Sequence, residues 1–502
     1  ARAVGAQPAA TLQPAAKDRR FADPAWDNNP WFFASRQAYL AWGRYVRELT
    51  AVADADRSPA DKLKLDAAVS MVVDALAPTN FLMSNPAALR KAWQTGGRSV
   101  LKGQVNFLRD LATNKGMPSQ VDRSGFEVGR NLACTPGQVV FRNDLMELIQ
   151  YTPTTETVYQ VPLLLSPPWI NKYYVMDLAP KRSFVEWAVG HGHTVFAISY
   201  RNPDESMRHI ALDDYLLRGP VQALDVVGDI TGAERTNLVG LCLGGTLTVM
   251  LLAWLADAGD DRVNSATLLN TLVDFSQPGP LGAFTDATTI ERLERKMAKR
   301  GFLDATDMAN TFNTMRENDL IWNYVASNWL MGEKPPAFDI LAWNADSTRM
   351  PATMHSFYLR SCYLENQLAQ DKMTLAGVDL HLGDIKADSY IVAAVEDHIA
   401  PWRSSYATTK LLSGPSRFVL TSAGHIAGIV NPPGPKARHW VNEDLTGDAD
   451  AWRSGASDQA GSWWEDWAEW IATRAGDRRA APPMGSETYP VLGEAPGTYI
   501  RG

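Results

Sequence analysis

The sequence predicts an α/β protein: a mostly parallel sheet covered by helices on both faces, preceded by a helical N-terminal region. Three observations predict it. Short, nearly continuous apolar runs at 161–165, 193–199, 237–241, 265–269, 390–395 and 417–420 alternate with helical patterns. Strands read this way when a sheet is buried on both sides. Before residue 128 the texture differs, because 31–113 repeats apolar residues at three- and four-residue spacing with no strand pattern among them. Finally, Leu238-Val239 leads into Gly240-Leu241-Cys242-Leu243-Gly244-Gly245 and then an apolar, helix-length segment at 246–256. That is a strand, a sharp turn and a helix, with a thiol at the tip of the turn.

Length and composition bound the rest. At 502 residues the chain exceeds what one compact core usually supports, so two domains are expected: a helical accessory domain over 1–125 and a catalytic domain over 126–502. A hydrophobic fraction of 45% and a charged fraction of 21% describe an ordinary soluble protein. The net charge of −8 offers no general attraction to nucleic acid or anionic membranes, so no nucleic acid is expected as a partner and any anionic substrate must be held by a local basic cluster. Three scattered cysteines, Cys134, Cys242 and Cys362, argue against a disulfide framework and for a reducing, cytoplasmic setting. Their spacing suits no metal, and Cys134 and Cys362 read as structural. No run has transmembrane length, and 1–16 lacks the apolar core of a signal peptide. Residues 1–19 are expected to be poorly ordered.

In order along the chain, helices are expected at 32–52, 60–76 and 86–111, the last two opened by Ser58-Pro59 and Asn85-Pro86 as N-cap and first-turn proline. Residues 138–144 and 146–151 read as a hairpin with an Asn-Asp turn. The strand and helix alternation follows, broken between about 275 and 382 by a long helical stretch with Trp322, Trp329, Trp343, Phe357 and Tyr358. A cap or lid insertion is expected there, most of its aromatics packing in the core. The tail carries Trp463-Trp464-Glu465-Asp466-Trp467, an amphipathic helix expected to dock on the sheet.

Two further strand ends carry chemistry. The run at 390–395 is followed by Glu396-Asp397-His398, and the run at 417–420 by Ser422-Ala423-Gly424-His425. Nucleophile, acid and histidine thus occur in the chain order of α/β-hydrolases, each just beyond a strand. The expected fold is therefore an α/β-hydrolase fold with a cap insertion, preceded by a helical N-terminal domain. In this reading Cys242 is the nucleophile and His425 takes its proton, since the thiolate is the reactive form. Asp397 orients the imidazole or assists it in activating a hydroxyl. The Leu243 amide is one oxyanion donor, and the second comes from the loop after 161–165. His398 reads as a pocket-wall residue. A cysteine suits thioester substrates, because exchanging one thioester for another keeps the acyl group activated for transfer to a hydroxyl. A thioesterase or polyester depolymerase could use the same frame, since fold does not fix function.

The chain resembles the polyhydroxyalkanoate synthases. The resemblance is carried by Gly240-Leu241-Cys242-Leu243-Gly244-Gly245, Ser166-Pro167-Pro168-Trp169-Ile170-Asn171-Lys172-Tyr173-Tyr174, Arg316-Glu317-Asn318-Asp319-Leu320-Ile321-Trp322, Glu396-Asp397-His398-Ile399-Ala400-Pro401-Trp402 and Gly424-His425-Ile426-Ala427-Gly428-Ile429-Val430-Asn431-Pro432-Pro433. It implies an acyltransferase acting on (R)-3-hydroxyacyl-CoA, with a polyester as product, CoA released and no further cofactor. It implies that Cys242 carries the chain, that His425 is its base and that Asp397 activates the 3-hydroxyl. Trp169 and Ile170 fall on the oxyanion side, and Arg316 and Trp343 line the substrate path. It also implies a single-subunit, class I-like enzyme for short acyl groups, a homodimer, cytoplasmic and attached to polymer granules.

Overall fold

The computed structural model describes residues 12–16, 18–53 and 57–502. Of the segment expected to be poorly ordered, 1–11 and 17 lie outside the described residues. The remainder is tied down: Leu12 N–H donates to Gln37 Oε1 at 2.8 Å, and Gln37 Nε2 donates back to the Leu12 carbonyl at 2.8 Å.

Two compact units make up the chain. The first takes the residues up to Gly125 together with Ala309–Leu341, and the second takes Phe126–Met308 with Ala342–Gly502. The first unit contains helices α1 (Pro30–Ala53), α2 (Pro59–Ala75), α3 (Pro86–Gln94) and α4 (Arg98–Thr113). Ser58 and Asn85 cap α2 and α3 through their side chains, as the sequence suggests. The helix expected at 86–111 is two helices instead. Gly96 and Gly97 take φ of +56° and +81°, a left-handed pair that ends α3 and re-aims the chain into α4. Phe21, Trp26, Tyr39, Val69 and Val73 form the core of this unit.

The stretch expected as one insertion over 275–382 is divided, because 309–341 belongs with the N-terminal helices. Trp329 explains why: its indole N–H donates to Asp110 at 2.8 Å and its ring meets Phe107 edge-on at 5.0 Å. Gly103 has no room for a side chain, since a Cβ there would lie 1.8 Å from the Trp329 carbonyl oxygen.

The second unit is built on an eleven-stranded sheet. Its strands are β1 (Gly137–Arg142), β2 (Met146–Tyr151), β3 (Leu163–Ser166), β4 (Val195–Tyr200), β5 (Thr236–Leu241), β6 (Val263–Leu269), β7 (Asp388–Ala394), β8 (Ser416–Thr421), β9 (Arg438–Val441), β10 (Ser457–Ala460) and β11 (Gly493–Glu494). Their order is β10-β9-β8-β7-β6-β5-β3-β4-β2-β1-β11. Strands β3 to β8 are mutually parallel. The flanking strands are antiparallel. Asn143 closes the expected β1–β2 hairpin, its Oδ1 accepting from the Leu145 and Met146 amides at 2.8 Å each. Strands β9 to β11 carry no apolar run and escape a sequence reading; β10 is exposed along its whole length.

Helices α5 (Phe184–Gly190), α6 (Gln222–Thr231), α7 (Leu243–Asp257), α8 (Trp402–Leu411) and α9 (Trp463–Ala472) accompany the sheet. The register pairs Ser166 with Gly240, Leu241 with Leu269 and Ala394 with Thr421. The carboxyl ends of β3, β5 and β6 are therefore level to within one residue, those of β7 and β8 lie two residues beyond the end of β6, and the loops leaving them converge on one rim.

Candidate active site

Cys242 stands between β5 and α7 at φ +52° and ψ −118°, a conformation that L side chains rarely adopt. Three glycines make the turn possible by close approach. A Cβ on Gly240 would lie 2.5 Å from Gly245 Cα, one on Gly244 would lie 2.0 Å from the Ser166 carbonyl oxygen, and one on Gly245 would lie 1.9 Å from Thr271 Oγ1. The Cys242 amide donates to the Leu269 carbonyl at 2.8 Å, tying the turn to the end of β6. Cys242 is partly exposed at the N-terminus of α7, where the first amides lack intrahelical acceptors.

His425 leaves β8 in a loop anchored from the opposite side by α9. The indole N–H groups of Trp463 and Trp464 donate to the carbonyls of Gly428 and Ile429 at 3.0 and 2.9 Å. Trp467 docks on the sheet through Thr267 Oγ1 at 2.9 Å. His425 Nδ1 lies 2.6 Å from Asp397 Oδ2. The other carboxylate oxygen of Asp397 accepts from the Ile399 and Ala400 amides at 2.8 and 2.9 Å. None of the Asp397 side chain is exposed, and only 7% of the His425 side chain is. With Nδ1 on the carboxylate, Nε2 is left for Cys242, which lies close enough to raise the ring. Burial pushes the imidazole pKa down, but the interactions with Asp397 and Cys242 outweigh it and hold His425 well above its ordinary value of 6.5.

The loop 166–172 borders the elbow through the Gly244 contact with Ser166 and Pro167. Neither proline has an N–H to offer, so Trp169 and Ile170 are the first residues there able to present an amide. Thr348 clamps the loop, its hydroxyl donating to the Trp169 carbonyl and accepting from the Asn171 amide, each at 2.9 Å. Trp169 is 3% exposed and its indole N–H has no hydrogen-bond partner among the described residues.

The remaining expected residues divide. Leu243 is the first residue of α7, with its amide at the elbow. Trp343 is buried and buttresses the loop, its indole N–H donating to the Lys172 carbonyl at 2.7 Å. Arg316 belongs to the first unit and pairs with Asp319. His398 is half-buried, its carbonyl beside Gly279. Sequence reasoning missed Tyr363, and it took Tyr358 for packing. Burial pushes both phenols up, and both feel the charge of Cys242. Nothing in their spacing announces this, because only the fold brings them to the thiol. A separate cavity of about 720 Å³ beside Arg208, Glu294, Phe357 and Arg360 contains none of Cys242, Asp397 and His425. Among the described residues no group of side chains could hold a metal, and no helix is long and apolar enough to cross a membrane.

The fold and the relatives that follow define an enzyme of the α/β-hydrolase fold, of the acyl-transferring type. Residues 17–188 match the family described as the N-terminus of poly-beta-hydroxybutyrate polymerase (PhaC), and 166–432 match the alpha/beta hydrolase fold. The chain is 43% identical to the poly(3-hydroxyalkanoate) polymerase of Methylorubrum extorquens, over 100% of this chain and 83% of that protein. It is 43% identical to poly(3-hydroxyalkanoate) polymerase subunit PhaC of Cupriavidus necator, over 96% and 83%. It is 42% identical to poly(3-hydroxyalkanoate) polymerase 1 of Ectopseudomonas oleovorans, over 98% and 88%. The chain belongs to the poly(3-hydroxyalkanoate) polymerase family.

Proposed function

We propose that this chain polymerises (R)-3-hydroxyacyl-CoA, with 3-hydroxybutyryl-CoA as the first substrate to test, releasing CoA and holding the growing polyester as a thioester on Cys242. The observation that carries the reading is a strained cysteine at a helix N-terminus beside a buried histidine bonded to a buried aspartate. His425 takes the thiol proton, and the thiolate attacks the thioester carbonyl. The negative oxygen formed meets the Leu243 amide and an amide of Trp169 or Ile170. The bond from carbon to the CoA sulfur breaks, and His425 returns the proton to that sulfur.

In elongation the 3-hydroxyl of another acyl-CoA gives its proton to His425 and attacks the acyl group on Cys242. An ester bond forms, the bond to the Cys242 sulfur breaks as His425 returns the proton to that sulfur, and the lengthened chain, now a CoA thioester, returns to Cys242 by a second thioester exchange that releases CoA. Both oxygens of Asp397 already accept hydrogen bonds and none of its side chain is exposed. This favours Asp397 acting through His425 over direct contact with the 3-hydroxyl. Because the product is insoluble, the working enzyme sits on polymer granules in the cytoplasm.

The test supplies 3-hydroxybutyryl-CoA and follows free CoA together with insoluble polymer. Cys242→Ala should abolish both while circular dichroism is unchanged. Cys362→Ala should stay active, since burial pushes that thiol far up and away from its reactive form. Free hydroxy acid without polymer would mark a hydrolase instead.

A further inference from the structure

We propose that Asn270 is a positioning residue for acyl transfer: its carboxamide holds the backbone of His425 so that the imidazole stays in line with Cys242. The proposal rests on the cysteine and histidine chemistry proposed above. Asn270 directly follows β6 and is completely buried, at φ +44°. Its Nδ2 donates to the carbonyl of His425 itself. Its own amide donates to the Val392 carbonyl at 2.8 Å, in the strand that leads to Asp397. On one side of it the Leu269 carbonyl receives the Cys242 amide at 2.8 Å. On the other, Thr271 fills the space beside Gly245. Three consecutive residues thus touch the supports of nucleophile, acid and base.

The residue type is informative. A left-handed backbone is tolerated by glycine, asparagine and aspartate. Of these, asparagine alone offers an N–H to the His425 carbonyl at neutral pH, where an aspartate would set a negative charge against it. The backbone alone does not account for the choice. Asn270 Oδ1 is buried without a hydrogen-bond partner among the described residues, a cost that glycine would avoid while keeping the same φ. The side chain is kept for its donor.

Asn270→Gly retains the backbone conformation and removes the donor; Asn270→Ser, too short to reach, is the second variant should the first not fold. Three quantities are measured: the melting temperature, kcat and KM for CoA release from 3-hydroxybutyryl-CoA, and the pH dependence of Cys242 alkylation by iodoacetamide, read from the mass of the Cys242 peptide. His425→Ala is the reference. The expected result is a folded protein with kcat lower by about ten- to a hundredfold and KM little changed. Its alkylation profile should move from that of the wild type toward that of His425→Ala. A folded Asn270 variant with the wild-type alkylation profile overturns the proposal, even if kcat falls. If His425→Ala itself alkylates like the wild type, the base assignment fails and this proposal falls with it, for a reason the reference makes visible.

Discussion

Cys242, Asp397 and His425 were legible from the chain because each follows a buried run, in a fixed order, at a strand end where loops must converge. Asn270, Thr348, Tyr358 and Tyr363 were not. Their parts depend on neighbours up to about 180 residues away in sequence, and no local pattern marks an asparagine as the hold on a distant carbonyl. The electrostatics of His425 yield a test at this scale. Asp397 is one of the charges that raise the imidazole against the effect of burial. Removing that charge removes a raising influence, so His425 should release its proton at lower pH. Asp397→Asn is expected to slow single-turnover acylation of Cys242 and to displace its pH profile toward acid. A slowed variant whose profile has not moved would show that Asp397 holds geometry without tuning charge.

At the scale of elements, the central strands were readable as apolar runs because the sheet is covered on both faces. The break between α3 and α4 was hidden because apolar periodicity continues across Gly96-Gly97, and strands β9 to β11 were hidden for want of apolar residues. The elbow is the element with the least tolerance. A Cβ on Gly244 would be opposed by backbone, not by the end of a movable side chain, so Gly244→Ala must displace either α7 or the loop that carries Trp169 and Ile170. CoA release should fall by at least about a hundredfold, with the helical signal in circular dichroism retained. Gly190→Ala, at the end of α5 with nothing within 4 Å of its added methyl group, should leave release unchanged. Equal behaviour of the two variants would refute the close-approach argument.

For the whole molecule, two histidines outside the site contribute to behaviour in acid. Burial lowers His193 to about 3 and His355 to about 4, from an ordinary 6.5. Both stay neutral in the folded chain while the unfolded chain protonates them. Stability should therefore fall as pH drops below about 6.5, by ~1.4 kcal/mol per pH unit for each imidazole. Both contribute down to about pH 4, and His193 alone down to about pH 3. His425 has the opposite sign. Its raised pKa gives stability that is fully present below 6.5 and is lost as pH rises through the folded value. Urea midpoints between pH 7 and pH 4 check this: a flat response would show that the two buried rings do not resist protonation.

The division of the chain into two units has a consequence for its synthesis. Phe107 and Trp329 meet within the first unit, yet about 220 residues separate them along the chain. At ~5–20 residues per second, translation of that interval takes ~10–45 s. For most of it α4 has been made while the indole that seats against Phe107, Asp110 and Gly103 does not yet exist. The N-terminal helices, made first, are therefore completed late, and a chain cut after residue 125 would leave that seat empty for good.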